Sequence, residues 1–480
     1  MRHLVFLILL AAPGLAVQTP TLPETAAGRA FTAWLAAFNS GEPERVRAFE
    51  TTWRERPAPV ERTLGLREQT GGFTLVRIER SEPTMIVALA TEADADSLTR
   101  IEFTLNGDPA PKVTRISLAP TPRPADLAIP RLTESAALAA LTERMDALAA
   151  QDRFAGIVLV ARDGKVLLQK TAGLADRATR TAVTPDTKFR IGSMNKMFTA
   201  IATLQLVEAK QLALDDPIGK HLPDYPNREI ADKVLVRHLL AHRGGTGDIF
   251  GPDFDQQRLT LREHADYLAL YGARAPLHAP DAEFRYSNYG FVLLGAVLER
   301  VSGGSYYDFV RVHVFKPAGM TATDSLPETE SVPGRSTGYM QVAGAWSPNT
   351  DTLPWRGTAA VSEGFGLPGG YTTAGDLLRF AQALQAGTLV SKATLALATS
   401  ARSKMGSRDY GYGFQVGGAG PLWSYGHGGG APGMNGELRI YPQPGYVVVA
   451  LSNLDPPVAQ RLVEFFENRM PVVAPTTRPR

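Results

Sequence analysis

The sequence predicts an α+β chain of two domains, and three observations predict it. At 480 residues, with 44% hydrophobic and 20% charged side chains, the chain is too long for one ordinary domain and apolar enough to bury a sizeable core. Its hydrophobic period switches between the helical value and two along the chain, so helices and strands are both present. Residues 119 to 130 carry Pro120, Pro122, Pro124 and Pro130, a density that favours extended, semi-rigid chain and marks a linker between domains.

In chain order, residues 1–16 read as an export signal. Arg2 supplies a positive start, Leu4 to Ala12 an apolar run, and Gly14-Leu15-Ala16 a small-residue cleavage site. That run is about half of the roughly 20 residues a spanning helix needs. A periplasmic or secreted protein with no membrane span after cleavage is therefore expected. Residues 20–118 form the first domain. Phe31, Trp34, Leu35 and Phe38 repeat at helical spacing and stop at Asn39-Ser40-Gly41. The period then becomes two, in Met85, Val87 and Leu89, in Ile101, Phe103 and Leu105, and in Ile116 and Leu118, which read as antiparallel strands. A helix followed by strands over this length is similar to the cystatin or nuclear-transport-factor shape, and the domain carries no catalytic constellation. A structural or interaction role is assigned to it.

The second domain, residues 131–470, opens with a helix through Leu141, Met145 and Leu148. A hairpin follows, Gly156-Ile-Val-Leu-Val and Lys165-Val-Leu-Leu-Gln, joined at Asp163-Gly164, a pair suited to the positive φ angles of a two-residue turn. It closes with strands Glu437 to Tyr441 and Tyr446 to Ser452 and a helix from Val458 to Met470, and residues 471–480 read as a disordered tail. Net charge is +2 with Lys and Arg spread out, so neither nucleic acid nor an anionic membrane surface is called for. Cysteine is absent, which removes disulfides, thiolate metal sites and cysteine nucleophiles. No metal or cofactor is implied, since the histidines lack the H-E-x-x-H spacing. The partner expected is a small molecule or a polymer end.

Three motifs carry chemistry. Ser193-Met194-Asn195-Lys196 opens a helical run to about Lys210, and a spacing of three puts both side chains on one helix face. Lys196 is the only charged residue between Ser193 and Val207, in a helix apolar all round and therefore buried. Desolvation lowers the pKa of such a lysine and fits it for work as a base, while the Ser193 N–H near the helix start can face a developing oxyanion. Tyr286-Ser287-Asn288 precedes the apolar helix Phe291 to Val301. A phenol beside a cationic lysine is expected to ionise more easily and relay a proton, and Asn288 offers both a donor and an acceptor. His427-Gly428-Gly429-Gly430 precedes a strand, and its glycines admit a close backbone or ligand, as an oxyanion donor at Gly430 requires.

With these motifs in this order, the sequence resembles the serine β-lactamase, DD-peptidase and esterase superfamily, which pairs S-x-x-K with Y-x-N and a K-T-G or H-x-G strand. The similarity spans most of residues 135 to 465, including His238-Leu-Leu-Ala-His-Arg-Gly-Gly and Pro368-Gly-Gly-Tyr-Thr-Thr-Ala-Gly-Asp-Leu, and omits the first domain. The resemblance implies a β-lactamase/transpeptidase-like domain, an antiparallel sheet flanked by helices with a helical region beside it. It implies Ser193 as nucleophile, Lys196 as its activating partner and Tyr286 as general base and acid. Asn288, His427, Gly429 and Gly430 become the substrate-binding set, with the N–H groups of Ser193 and Gly430 as oxyanion hole. His427 departs from the lysine of typical β-lactamases, which is charged at pH 7 and holds the drug carboxylate. That points to carboxylester hydrolysis through an acyl-enzyme first, D-amino-acid or cell-wall peptides second and β-lactams third. The rival from another class is a sensor that kept the scaffold and lost turnover.

Three competing motifs are set aside. Gly334-Arg335-Ser336-Thr337-Gly338 fits the G-x-S-x-G elbow but lacks a buried strand before it. Gly364-Phe-Gly-Leu-Pro-Gly369 fits a dinucleotide fingerprint without a βαβ unit. Tyr225-Pro226-Asn227 fits Y-x-N, but its central proline suits a turn.

Overall fold

The computed structural model describes residues 20–326, 330–342, 344–349 and 370–472. The export signal at 1–16, the fingerprint match at 364–369 and most of the tail at 471–480 lie outside the described residues. The chain divides into two compact units, residues 1–128 and 129–480.

In the first unit a helix, Ala26–Ser40, packs on a four-stranded antiparallel sheet of Phe73–Glu82, Met85–Glu92, Leu98–Leu105 and Val113–Thr121, in that order. Two further helices, Pro43–Trp53 and Val60–Thr70, follow the first. Phe31, Trp34 and Phe38 meet Phe73 and Phe103 in an aromatic cluster, with ring centroids 5.1 to 6.2 Å apart. Met85–Glu92 is a strand as its alternation predicts, and the face it turns to this core is Ile86, Ala88 and Ala90. Small alanines leave room for the large helix rings, while Val87 and Leu89 are buried on the opposite face. The last strand runs to Thr121 at the sheet edge, so Pro120 lies in an edge strand, the place in a sheet where proline is tolerated, and not in a linker.

The second unit is built on an eight-stranded sheet in the order Ser403–Met405, Arg408–Tyr410, Gln415–Gly417, Ser424–Ala431, Met434–Tyr441, Tyr446–Ser452, Gly156–Arg162, Lys165–Ala172. Every neighbouring pair is antiparallel, so the early hairpin completes a sheet made mostly by the end of the chain. Asp163 and Gly164 both take positive φ, 49° and 81°, as the two-residue turn requires. Helices Glu134–Ala150 and Val458–Arg469 cover one face, in a core with Val158, Val448 and Phe466. A larger core on the other face gathers helices Asn195–Glu208, Asn288–Ser302 and Ala374–Ala386. Covered on both sides, Met434–Tyr441 and Tyr446–Ser452 are buried at every residue; Tyr446–Ser452 accordingly reads as a nearly unbroken apolar run, whereas Met434–Tyr441 buries Asn435, Glu437 and Arg439 as well. No helix among the described residues is long and apolar enough to cross a membrane.

Candidate active site

Ser193 sits in a single 3₁₀ turn, Gly192–Met194, that leads into the helix Asn195–Glu208. Gly192 takes φ +55, and Asn195 Nδ2 donates back to its carbonyl at 3.0 Å, tightening the turn. The strand Ser424–Ala431 lies directly against this turn. A side chain at Gly429 would put its Cβ 2.0 Å from the Ile191 carbonyl oxygen and 3.2 Å from Ser193 N. The glycine there is thus demanded by the approach of the nucleophile's own backbone.

Lys196 is 0% exposed and Ser193 is half-buried above it. Lys196 Nζ lies 3.1 Å from Ser193 Oγ and 2.8 Å from Asn288 Oδ1, and Tyr286 Oη donates to Ser193 Oγ at 2.9 Å. Tyr286 and Asn288 are brought there by a helix cap. Ser287 is the N-cap of Asn288–Ser302, its Oγ accepting from Gly290 N at 2.9 Å and donating to the Gly247 carbonyl at 2.5 Å. Residues on either side of the cap therefore converge on Lys196, whose ammonium position lies 4.7 Å from the Tyr286 ring centre and 5.6 Å from that of Phe291.

Burial pulls the Lys196 pKa from the ordinary lysine value down to about 7, against the opposing pull of Asp248. Tyr286 moves the other way from the expected direction. Burial drives its pKa up, the bond to Ser193 offsets only part of that, and Asp248 adds to the rise. The expected easing by a cationic neighbour is lost because Lys196 itself gives up its proton near neutrality. Tyr286 rests protonated and donates to Ser193, and Lys196 is the group able to accept a proton.

His427 is 1% exposed and has no free nitrogen for a ligand. Its Nδ1 lies 2.5 Å from the Gly428 carbonyl, an acceptor, so Nδ1 carries the hydrogen; Nε2 then accepts from Tyr410 Oη at 3.0 Å. Burial and the nearby Lys196 pull its pKa down to about 3, so it is uncharged at neutral pH. His427, Gly429 and Gly430 line one cleft with Ser193, Tyr286 and Asn288, a cavity of about 530 Å³. Beyond the glycine strand the cleft continues to Arg408, Gln415, Glu437, Arg439, Gln460 and Glu464, none of which the motifs pointed to.

Asp248 also lines this cleft. It stands just after the stretch beginning at His238, but nothing in its spacing ties it to Asn288 forty residues on. His242, in that same stretch, packs its ring 4.1 Å from Tyr286 and 4.7 Å from Tyr410, and its Nδ1 accepts from Ser287 N at 3.1 Å. Among the described residues no group of His, Asp and Glu is placed to hold a metal ion. The competing residues have other work. Ser336 is buried and donates to the Lys188 carbonyl, Tyr225 bonds Tyr289 through their hydroxyls, and Asn227 caps a short helix.

The sequence profile of the β-lactamase family matches residues 139–467. Penicillin-binding protein 4* of Bacillus subtilis is 29% identical over 324 residues, 64% of this chain and 70% of its own. Esterase EstB of Burkholderia gladioli is 35% identical over 217 residues, 41% of this chain and 55% of its own. The crystal structure of a D-stereospecific amidohydrolase from a Streptomyces species superposes with a TM-score of 0.57 at 28% identity, covering 68% of this chain and 97% of that one.

Proposed function

The chain belongs to the β-lactamase family of serine hydrolases, and from that premise we propose that it is a carboxylesterase working through an acyl-enzyme on Ser193. Neutral Lys196 takes the Ser193 proton as Oγ attacks the ester carbonyl. The oxyanion is met by the N–H groups of Ser193 and Gly430. Tyr286 passes its proton to the leaving alkoxide and is reprotonated from the Lys196 ammonium. The same relay run backwards takes a proton from the water that frees the acyl group.

The observation that carries the choice of substrate is the engagement of both His427 nitrogens by Tyr410 and Gly428. At this position the protein offers neither a charge nor a spare donor to a carboxylate, so a drug anion loses that anchor and a neutral ester loses nothing. A second reading, hydrolysis of amides or peptides of D-amino acids, draws on the Glu437, Gln460 and Glu464 wall, which suits a polar chain better than an aliphatic one. The test is intact-mass spectrometry after incubation with p-nitrophenyl esters, D-amino-acid amides and benzylpenicillin. A short-chain acyl adduct on the native protein, missing in Ser193→Ala, is the expected result. A penicilloyl adduct without ester adducts would overturn the substrate class, and no adduct from any compound would favour a sensor.

A further inference from the structure

The geometry assigns to Asp248 the role of a positioning residue that fixes which way the Asn288 amide faces, and through it where the lone pair of Lys196 points. This rests on the serine-hydrolase reading of the site and adds a member that none of the three sequence motifs contains.

The two ends of an asparagine amide have nearly the same shape but opposite hydrogen-bond chemistry, one accepting and the other donating, so its partners decide which way it faces. Here the decision is forced. Asp248 Oδ1 accepts from the backbone N–H of Asn288 at 2.8 Å and from that of Ile249 at 2.8 Å, while Oδ2 faces Asn288 Nδ2 at 3.2 Å. A carboxylate only accepts, so the end of Asn288 turned to it must be the NH₂. The other end, Oδ1, is then left to face Lys196 Nζ at 2.8 Å. An uncharged amine has two hydrogens and one lone pair. With one hydrogen drawn to Asn288 Oδ1, the lone pair is left for the remaining polar neighbour, Ser193 Oγ at 3.1 Å. Reversed, the amide would present two hydrogens to the amine, occupy the lone pair and disable the base.

Asp248 is held rigidly enough to do this. Its carbonyl accepts from Arg274 Nη1 at 2.7 Å, and the adjacent Gly247 carbonyl takes the Ser287 hydroxyl that caps the helix bearing Asn288. It is also the negative charge acting on Lys196. The other titratable groups facing that amine are Tyr286, His242 and His427, and burial keeps all of them uncharged. The chain carboxylate, amide, amine, hydroxyl thus runs from Asp248 to Ser193, each member fixing the proton arrangement of the next.

Two variants test the assignment, with acylation by a p-nitrophenyl ester followed across pH and normalised to titrated active sites. Asp248→Asn keeps the shape but removes both the charge and the compulsion on the amide. The expected result is a loss of acylation on the order of 100-fold and an acid limb moved to lower pH, because the charge that held Lys196 protonated is gone. The double variant Asp248→Asn, Asn288→Asp exchanges the two side chains. Every hydrogen bond is remade, with the new amide NH₂ donating to the new carboxylate and that carboxylate facing Lys196 directly, and the acid limb should move to higher pH. Opposite displacements in the two variants are a signature that mere loosening of the loop does not give. Unchanged rate and pH profile in Asp248→Asn, or displacements of the same sign in both, would overturn the assignment. Failure of the native protein itself to acylate would instead overturn the serine-hydrolase reading, so the two failures are told apart.

Discussion

Two cations are wholly buried along the same cleft, and they are treated in opposite ways. On the nucleophile side, Lys196 is 0% exposed and touches only uncharged groups, Ser193, Asn288 and the rings of Tyr286 and Phe291. On the far side of the glycine strand, Arg439 is 1% exposed with its Nε 2.6 Å from the Glu437 carboxylate, and its two terminal nitrogens donate to Gln415. Burial presses on both charges. The arginine keeps its proton because a guanidinium does not lose one in a protein and because it is paired. The lysine, with its carboxylate held one amide away at Asp248, settles at about 7. Burial alone does not make a base: it makes one where the buried group can shed its proton and its contacts are neutral.

Giving the nucleophile side the far side's chemistry should have the largest effect. Lys196→Arg keeps a cation in place but removes the acceptor, and kcat/KM for a p-nitrophenyl ester should fall by about 10³- to 10⁴-fold; a fall of less than about tenfold would mean that Lys196 is not the base. Taking the partner from the far side should be felt in stability. Glu437→Gln leaves Arg439 charged and unpaired in the interior, and urea denaturation should register a loss of about 3–5 kcal/mol. A stability equal to the native protein's would show that the guanidinium had found another partner and that the pair is not what keeps it buried.

The same contrast explains how far the sequence could be read. Ser193 with Lys196, and Tyr286 with Asn288, were legible because each pair lies within one turn of a single helix start, where spacing decides which side chains meet. The Asp163-Gly164 hairpin and the strands from Glu437 to Ser452 were legible for the same local reason. What was not legible depends on packing between distant segments. The face that strand Met85–Glu92 turns inward is chosen by the aromatic rings of a helix some fifty residues earlier, not by its own alternation. The engagement of His427 Nε2 depends on Tyr410, a tyrosine in a three-residue strand with no motif around it. The direction of the Tyr286 shift is set first by the burial of its own ring, which no local pattern of residues shows. Gly429 was read as a substrate contact, yet its lack of a side chain answers first to the Ile191 carbonyl.

The claim on which the rest depends is that the amine beside Ser193 is poised to lose its proton near neutrality. It is tested most directly by the burst of p-nitrophenol from the native protein, followed by stopped flow across pH. A burst rate that climbs through a single ionisation near pH 7 is the predicted result. A rate that stays low until about pH 10, the range of an ordinary lysine, would contradict it.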